Sequence, residues 1–108
     1  MKNTCFFILA CFFLSCKKNN DPQNTNIPCD PAISYAARVK PVLVSNCTSS
    51  GCHDGINYPS LGEYTVARDA AQQIKSAVSR GIMPLYSSLS AVDKAAIICW
   101  IDNGSKNN

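Results

Sequence analysis

The chain has a single histidine and a single tryptophan in 108 residues, and no apolar run long enough to cross a bilayer. It contains no C-x-x-C or H-x-x-H pair, so a structural zinc centre of spaced ligand pairs lacks its parts. Only 16% of the residues are charged and the formal net charge is +3. No basic stripe with interleaved aromatics accompanies that small excess, which excludes nucleic-acid binding as a reading. Strict apolar/polar alternation is missing, so no strand is expected. No internal repeat is visible.

What is present begins with a leader. "MKNTCFFILACFFLSC" places Lys2 before an apolar run from Cys5 to Leu14 and a small residue, Ser15, before Cys16. This is the pattern of an export signal, residues 1–15. "FLSC" resembles a bacterial lipobox with Phe13 in place of the commoner leucine, which makes Cys16 the lipidated first residue of the mature chain. Residues 17–28, "KKNNDPQNTNIP", are polar and carry two prolines. They cannot bury apolar surface and read as a flexible tether reaching at most about 40 Å. Lys17 and Lys18 suit a bilayer surface. No aspartate follows Cys16, which favours the periplasmic side of the outer membrane over the inner membrane, with the cell surface also open.

The folded part is residues 29–108, and its core reads as three helices. Residues 31–46 carry Ile33, Ala36, Val39 and Leu43 at helical spacing, with Pro41 expected to kink or split the helix. Residues 65–80 start at a possible Thr65 cap, bury Val66, Ala70, Ile74, Ala77 and Val78, and stop at Gly81. The last helix opens with Ser90 and Asp93 in a capping-box pattern and ends before Gly104. Its centre is apolar nearly all round, which marks a buried helix. Residues 54–64, "DGINYPSLGEY", read as loop. A core of this size needs a staple: a disulfide, a metal or a prosthetic group.

The mature chain keeps Cys29, Cys47, Cys52 and Cys99 in an oxidising compartment. Four cysteines allow three pairings, or one disulfide and two thiols used otherwise. "NCTSSGCHDG" sets His53 directly after Cys52. Zinc fits poorly, because adjacent Cys52 and His53 cannot easily hold one tetrahedral ion. A Cys47–Cys52 disulfide explains neither His53 nor Met83 in "RGIMP", the only methionine of the mature chain. Covalent haem uses all of them. Two cysteines bond the vinyl groups, the following histidine reaches the iron, and a methionine takes the opposite axial site.

Together, "VKPVLVSNCTSSGCH", "LGEY", "GIMP" and "LSAVDKAAIICWIDNG" resemble the small monohaem c-type cytochromes found as bacterial lipoproteins or appended domains. The resemblance covers most of residues 34–104. It implies an all-α, cytochrome c-like fold of about three main helices around one covalent haem c. It further implies Cys47 and Cys52 as thioether anchors, His53 as proximal and Met83 as distal iron ligand. Gly81, Pro84 and Trp100 would contact the group or shape its surroundings. The usual motif has two residues between the cysteines; here Thr48, Ser49, Ser50 and Gly51 stand there, so attachment through Cys52 alone is the alternative to two thioethers. In this fold the first and last helices cross, which makes a Cys29–Cys99 disulfide plausible. The implied function is one-electron transfer without catalysis. The chain would be a monomer, anchored to the membrane by lipid, serving periplasmic or outer-membrane redox proteins. A haem sensor or peroxidase-like protein, and a haem-free disulfide-stapled lipoprotein, remain as alternatives. With haem as much of the core, the haem-free chain is expected to fold poorly.

Overall fold

A computed structural model describes residues 26–108. The signal, Cys16 and most of the tether lie outside the described residues. Those described form an all-α fold with no strand. A π-helical segment, Tyr35–Val39, runs directly into α1, Lys40–Cys47. After a long loop come α2, Tyr64–Asp69, and α3, Ala71–Ser79; a second loop leads to α4, Ala91–Asp102.

Pro41 explains the π segment. It sits in the first turn of α1, where its missing N–H costs nothing, but its ring crowds the carbonyl four residues back. The wider π register opens that turn, with Val39 N–H bonded to Ser34 O at 3.2 Å. The register change also rotates the buried face. Tyr35, Val39, Val42 and Leu43 are buried, whereas Ala36 is exposed. A straight 3.6-residue period places Ala36 inside; the extra residue in the π turn carries it out.

The N-terminus of this helix is capped from the other end of the chain. Ser34 Oγ accepts from Ala37 N–H at 3.1 Å and donates to Asn108 O at 2.9 Å. Tyr35 N–H donates to Asn108 Oδ1 and Ala36 N–H to Asn108 O, at 2.9 and 3.0 Å. Three otherwise orphaned helix donors are thereby satisfied.

The expected 65–80 helix is two helices. Glu63, not Thr65, holds the N-cap position, and the chain bends at Ala70, with φ −92° and ψ 7°. The buried stripe Ala67, Ala71, Ile74 and Val78 runs across the bend at helical spacing. Both helices therefore keep one face on the core. α3 and α4 end alike. Ile82 N–H reaches Ala77 O and Gly81 N–H reaches Val78 O; Ser105 N–H reaches Trp100 O and Gly104 N–H reaches Ile101 O. These are paired Schellman bonds, and Gly81 and Gly104 hold the required positive φ of 68° and 92°.

The π segment and α4 run antiparallel. Tyr35 packs on Trp100 at 5.1 Å between ring centroids, and Arg38 Nη2, one turn on, meets Asp93 Oδ1, two turns back along α4, at 2.8 Å. Lys75 and Asp102 tie α3 to α4 at the surface. Cys29 and Cys99 are joined in a disulfide, Cα–Cα 5.3 Å, which fixes the start of the domain to the end of α4. Asn103 Nδ2 donates to Asp30 O at 3.1 Å beside it.

Two stability predictions result. The disulfide closes a loop spanning 70 residues, so the Cys29→Ser/Cys99→Ser double variant should lose about 4 kcal/mol in urea unfolding. Asp93 accepts from Arg38 and interacts with the Ser90 hydroxyl, which together hold its carboxyl below the ordinary 3.8. A lowered folded pKa gives stability that is complete above the ordinary value and lost as pH falls through the lowered one. Asp93→Asn should cost up to about 1 kcal/mol at pH 7. The gap to wild type in the urea midpoint should close as the pH is taken below 3.8.

Candidate functional site

The last residue of α1 is Cys47. There the chain turns out through Thr48, Ser49, Ser50 and Gly51 and returns at Cys52. Three bonds fix this detour. Thr48 Oγ donates to Val44 O at 2.8 Å, Cys52 N–H to Ser49 O at 2.9 Å, and His53 N–H to Cys47 O at 3.0 Å. Gly51 supplies the reversal at φ 81°, with nothing within 4 Å of where a Cβ would stand. The last bond places His53, and Cys52 before it, beside the end of α1. The four-residue gap is thus a closed turn that returns Cys52 to the neighbourhood of Cys47.

Cys47 and Cys52 are free thiols, both half-buried. Burial pushes the Cys47 thiol up, and nearby Cys52 adds to the shift. His53 is half-buried with its ring 5.4 Å from that of Tyr58. Asp54 organises the chain beyond it. Its carboxylate accepts from Ile56 N–H at 2.9 Å and Gly51 N–H at 3.0 Å, and more distantly from Asn57 N–H. Those backbone donors lower its pKa. Leu61 N–H then returns to His53 O at 3.3 Å, and Gly62 passes close to α1. A Cβ on Gly62 would stand 3.3 Å from Val44 Cγ2 and 3.4 Å from Ser60 Oγ.

Met83 lies in the α3–α4 loop, half-buried, and its peptide bond to Pro84 is cis. Gly81 is the helix stop that turns the chain toward it, and a Cβ there would meet nothing within 4 Å. Arg80 is exposed. Met83 N–H bonds back to Ala77 O at 3.4 Å, so its position is set by the end of α3. Trp100 is buried against Tyr35 in the last turns of α4, and its indole N–H donates to Lys106 O at 2.9 Å. Tyr64, whose hydroxyl donates to Ser105 O, belongs with it.

The exposed large apolar side chains among the described residues are Val44, Ile56, Tyr58, Ile82, Leu85, Tyr86 and Val92. All belong to α1, the two loops or the first turn of α4. Ile56 and Tyr86 are 86% and 94% exposed. Apolar residues scattered singly on a surface are ordinary; five of these seven stand in the two loops. Sequence reading did not find this set, because Ile56, Leu85 and Tyr86 stand in loops with no period to assign them a face.

The donor chemistry of Cys47, Cys52, His53 and Met83 suits a covalently attached haem: two thiols able to add to vinyl groups, an imidazole and a soft thioether. Among the described residues no three His, Cys, Asp or Glu side chains converge as a metal cluster. The cysteine sulfurs of a c-type haem bond its vinyl carbons and not the iron, so such a haem requires no such cluster. Comparison with protein-family models, with curated proteins and with solved structures finds no match to the chain.

Two substitutions test how the loops are held. Gly81→Ala should lower stability by about 1 kcal/mol in urea unfolding, from backbone strain at positive φ and not from a clash. Asp54→Ala should raise amide hydrogen exchange at Gly51 and Ile56 while leaving α4 protected. Equal deprotection of α4 would mean that Asp54 supports the whole fold and not the loop.

Proposed function

We propose that the protein is a membrane-anchored monohaem c-type cytochrome of cytochrome c-like fold that carries single electrons. The observation that carries this reading is the closed turn that returns Cys52 and His53 to Cys47 at the end of α1, with Met83 in the α3–α4 loop and exposed apolar side chains on both loops. A flat, mostly apolar macrocycle needs covalent anchors, two axial donors and apolar cover, and these are the residue types present there.

Cys47 and Cys52 would hold the group by thioether bonds, and the closed turn of residues 48–51 supports use of both sulfurs despite the four-residue gap. His53 and Met83 would supply the iron ligands. When bound, the haem supplies a ferric/ferrous couple. The soft sulfur of Met83 would favour the ferrous form and set the couple higher than a second histidine would. With both ligands drawn from the chain, no substrate would need to reach the iron. Ile56, Tyr58, Leu85 and Tyr86 would exclude water from the edge of the group and keep its surroundings of low dielectric. Partners would be periplasmic or outer-membrane redox proteins meeting it through a small, transient interface.

The test is expression in a host able to attach haem, followed by a haem stain on a denaturing gel and absorption spectra of both oxidation states. The expected result is a covalently stained band and a low-spin spectrum with the weak methionine–iron band. Met83→Leu should abolish that band without abolishing the stain, and Cys52→Ser should abolish or sharply reduce the stain. A high-spin wild type that binds carbon monoxide when reduced would make the protein a sensor or peroxidase. Absence of stain would overturn the cytochrome reading and leave a stapled helical lipoprotein.

A further inference from the structure

The two cysteine pairs differ in state. Cys29 and Cys99 are bonded to each other, while Cys47 and Cys52 are free. The free pair is preassembled. The His53 N–H to Cys47 O bond and the Cys52 N–H to Ser49 O bond close the loop that carries both thiols, so chelation by them requires little further ordering. Cys47 ends α1, where the helix dipole is negative. That position opposes a bare thiolate and favours a bound cation.

The number of donors selects the ion. No third His, Cys, Asp or Glu joins the pair among the described residues, so zinc would find too few protein ligands for its tetrahedral preference. Calcium and magnesium require oxygen. A cuprous ion is soft, favours thiolate sulfur, and is satisfied by two such ligands.

We propose that, before haem is attached, Cys47 and Cys52 chelate one cuprous ion as a two-thiolate site. The ion and the haem then compete for the same sulfurs. Copper must arrive already as Cu(I). Two S–H bonds give up their protons to water, two Cu–S bonds form, and no oxidation state changes. A thioether forms when S–H adds across a vinyl double bond, so a sulfur held by copper is withheld from that addition. Binding of copper stands apart from the haem reading; only the competition rests on it.

The test uses the haem-free mature chain with the Cys29–Cys99 bond verified by mass, titrated anaerobically with Cu(I) against a chromophoric cuprous chelator. The wild type should retain one copper per chain, with two thiols reactive to a thiol reagent before loading and none after. Cys47→Ser and Cys52→Ser should each lose the copper, while Met83→Leu and His53→Ala keep it. A wild type that yields its copper to the chelator, or serine variants that retain it, would overturn the site. Circular dichroism of the serine variants separates loss of a ligand from loss of the fold. In a haem-attaching host, added copper should lower the stained fraction of wild type; an unchanged fraction would overturn the competition alone. If no haem attaches in any medium, the cytochrome reading falls while the titration still decides the copper site.

Discussion

The ring of Tyr35 lies 5.1 Å from that of Trp100 and meets the Tyr64 ring edge-on at 5.2 Å. This aromatic contact joins the π segment, α2 and α4, and the other placements follow from it. Both Tyr35 and Trp100 are almost completely buried, and rings of this size dominate the packing of a small core. Tyr35 contributes despite a cost. Its hydroxyl is buried without a partner, and burial, Glu63 and Tyr64 all push its pKa up. The ring contacts outweigh an unmet hydrogen bond worth roughly 1–3 kcal/mol. Around them the Cys29–Cys99 bond, the Asn108 cap and the Trp100–Lys106 bond all gather at the same end.

From that end the π segment and α1 act as a rigid arm. Twelve residues separate Tyr35 from Cys47, roughly 18 Å at helical rise. One end of that arm is therefore stapled, capped and aromatic, and the other carries the free thiols and the histidine. The division has a physical logic. A loop whose apolar residues wait for a ligand contributes little to stability alone, so the fold must be secured elsewhere. The disulfide and the aromatic cluster offer that security without drawing on the site. The staple that a core of this size needs is present in the Cys29–Cys99 bond.

Much of this was legible because turn chemistry is local. Ser90 accepts from Asp93 N–H as a cap should, and Gly81 and Gly104 end their helices with positive φ. The all-α class followed from periodicity in the same way. What escaped reading depends on contacts distant in sequence or on register. Ser34 is an unremarkable serine until Asn108 arrives beside it, 74 positions away. Pro41 announced a disturbance, but not that a π turn would absorb it and turn Ala36 outward. No proline or glycine marks the bend at Ala70, since alanine reaches that conformation without strain. At the site, Cys47, Cys52, His53 and Met83 stood out by residue type and spacing. That the chain closes Cys52 and His53 back onto the end of α1 depends on the bonds made by residues 48–53, which the spacing does not contain.

The arm also answers a sorting problem. The four cysteines among the described residues could pair in three ways, and a disulfide tolerates Cα separations only up to about 7 Å. Once the π segment and α1 are helical, Cys29 and Cys99 lie beside one end and Cys47 and Cys52 beside the other. The crossed pairings then demand unwinding of the helix, with loss of the Tyr35–Trp100 contact. The order of events matters accordingly. If the aromatic contact forms first, Cys29 finds Cys99 and the other two thiols are left together, available to a haem, to a soft cation, or to each other. If oxidation precedes the contact, nothing in the chain favours the correct pair. Packing at the stapled end therefore governs the chemistry available at the other.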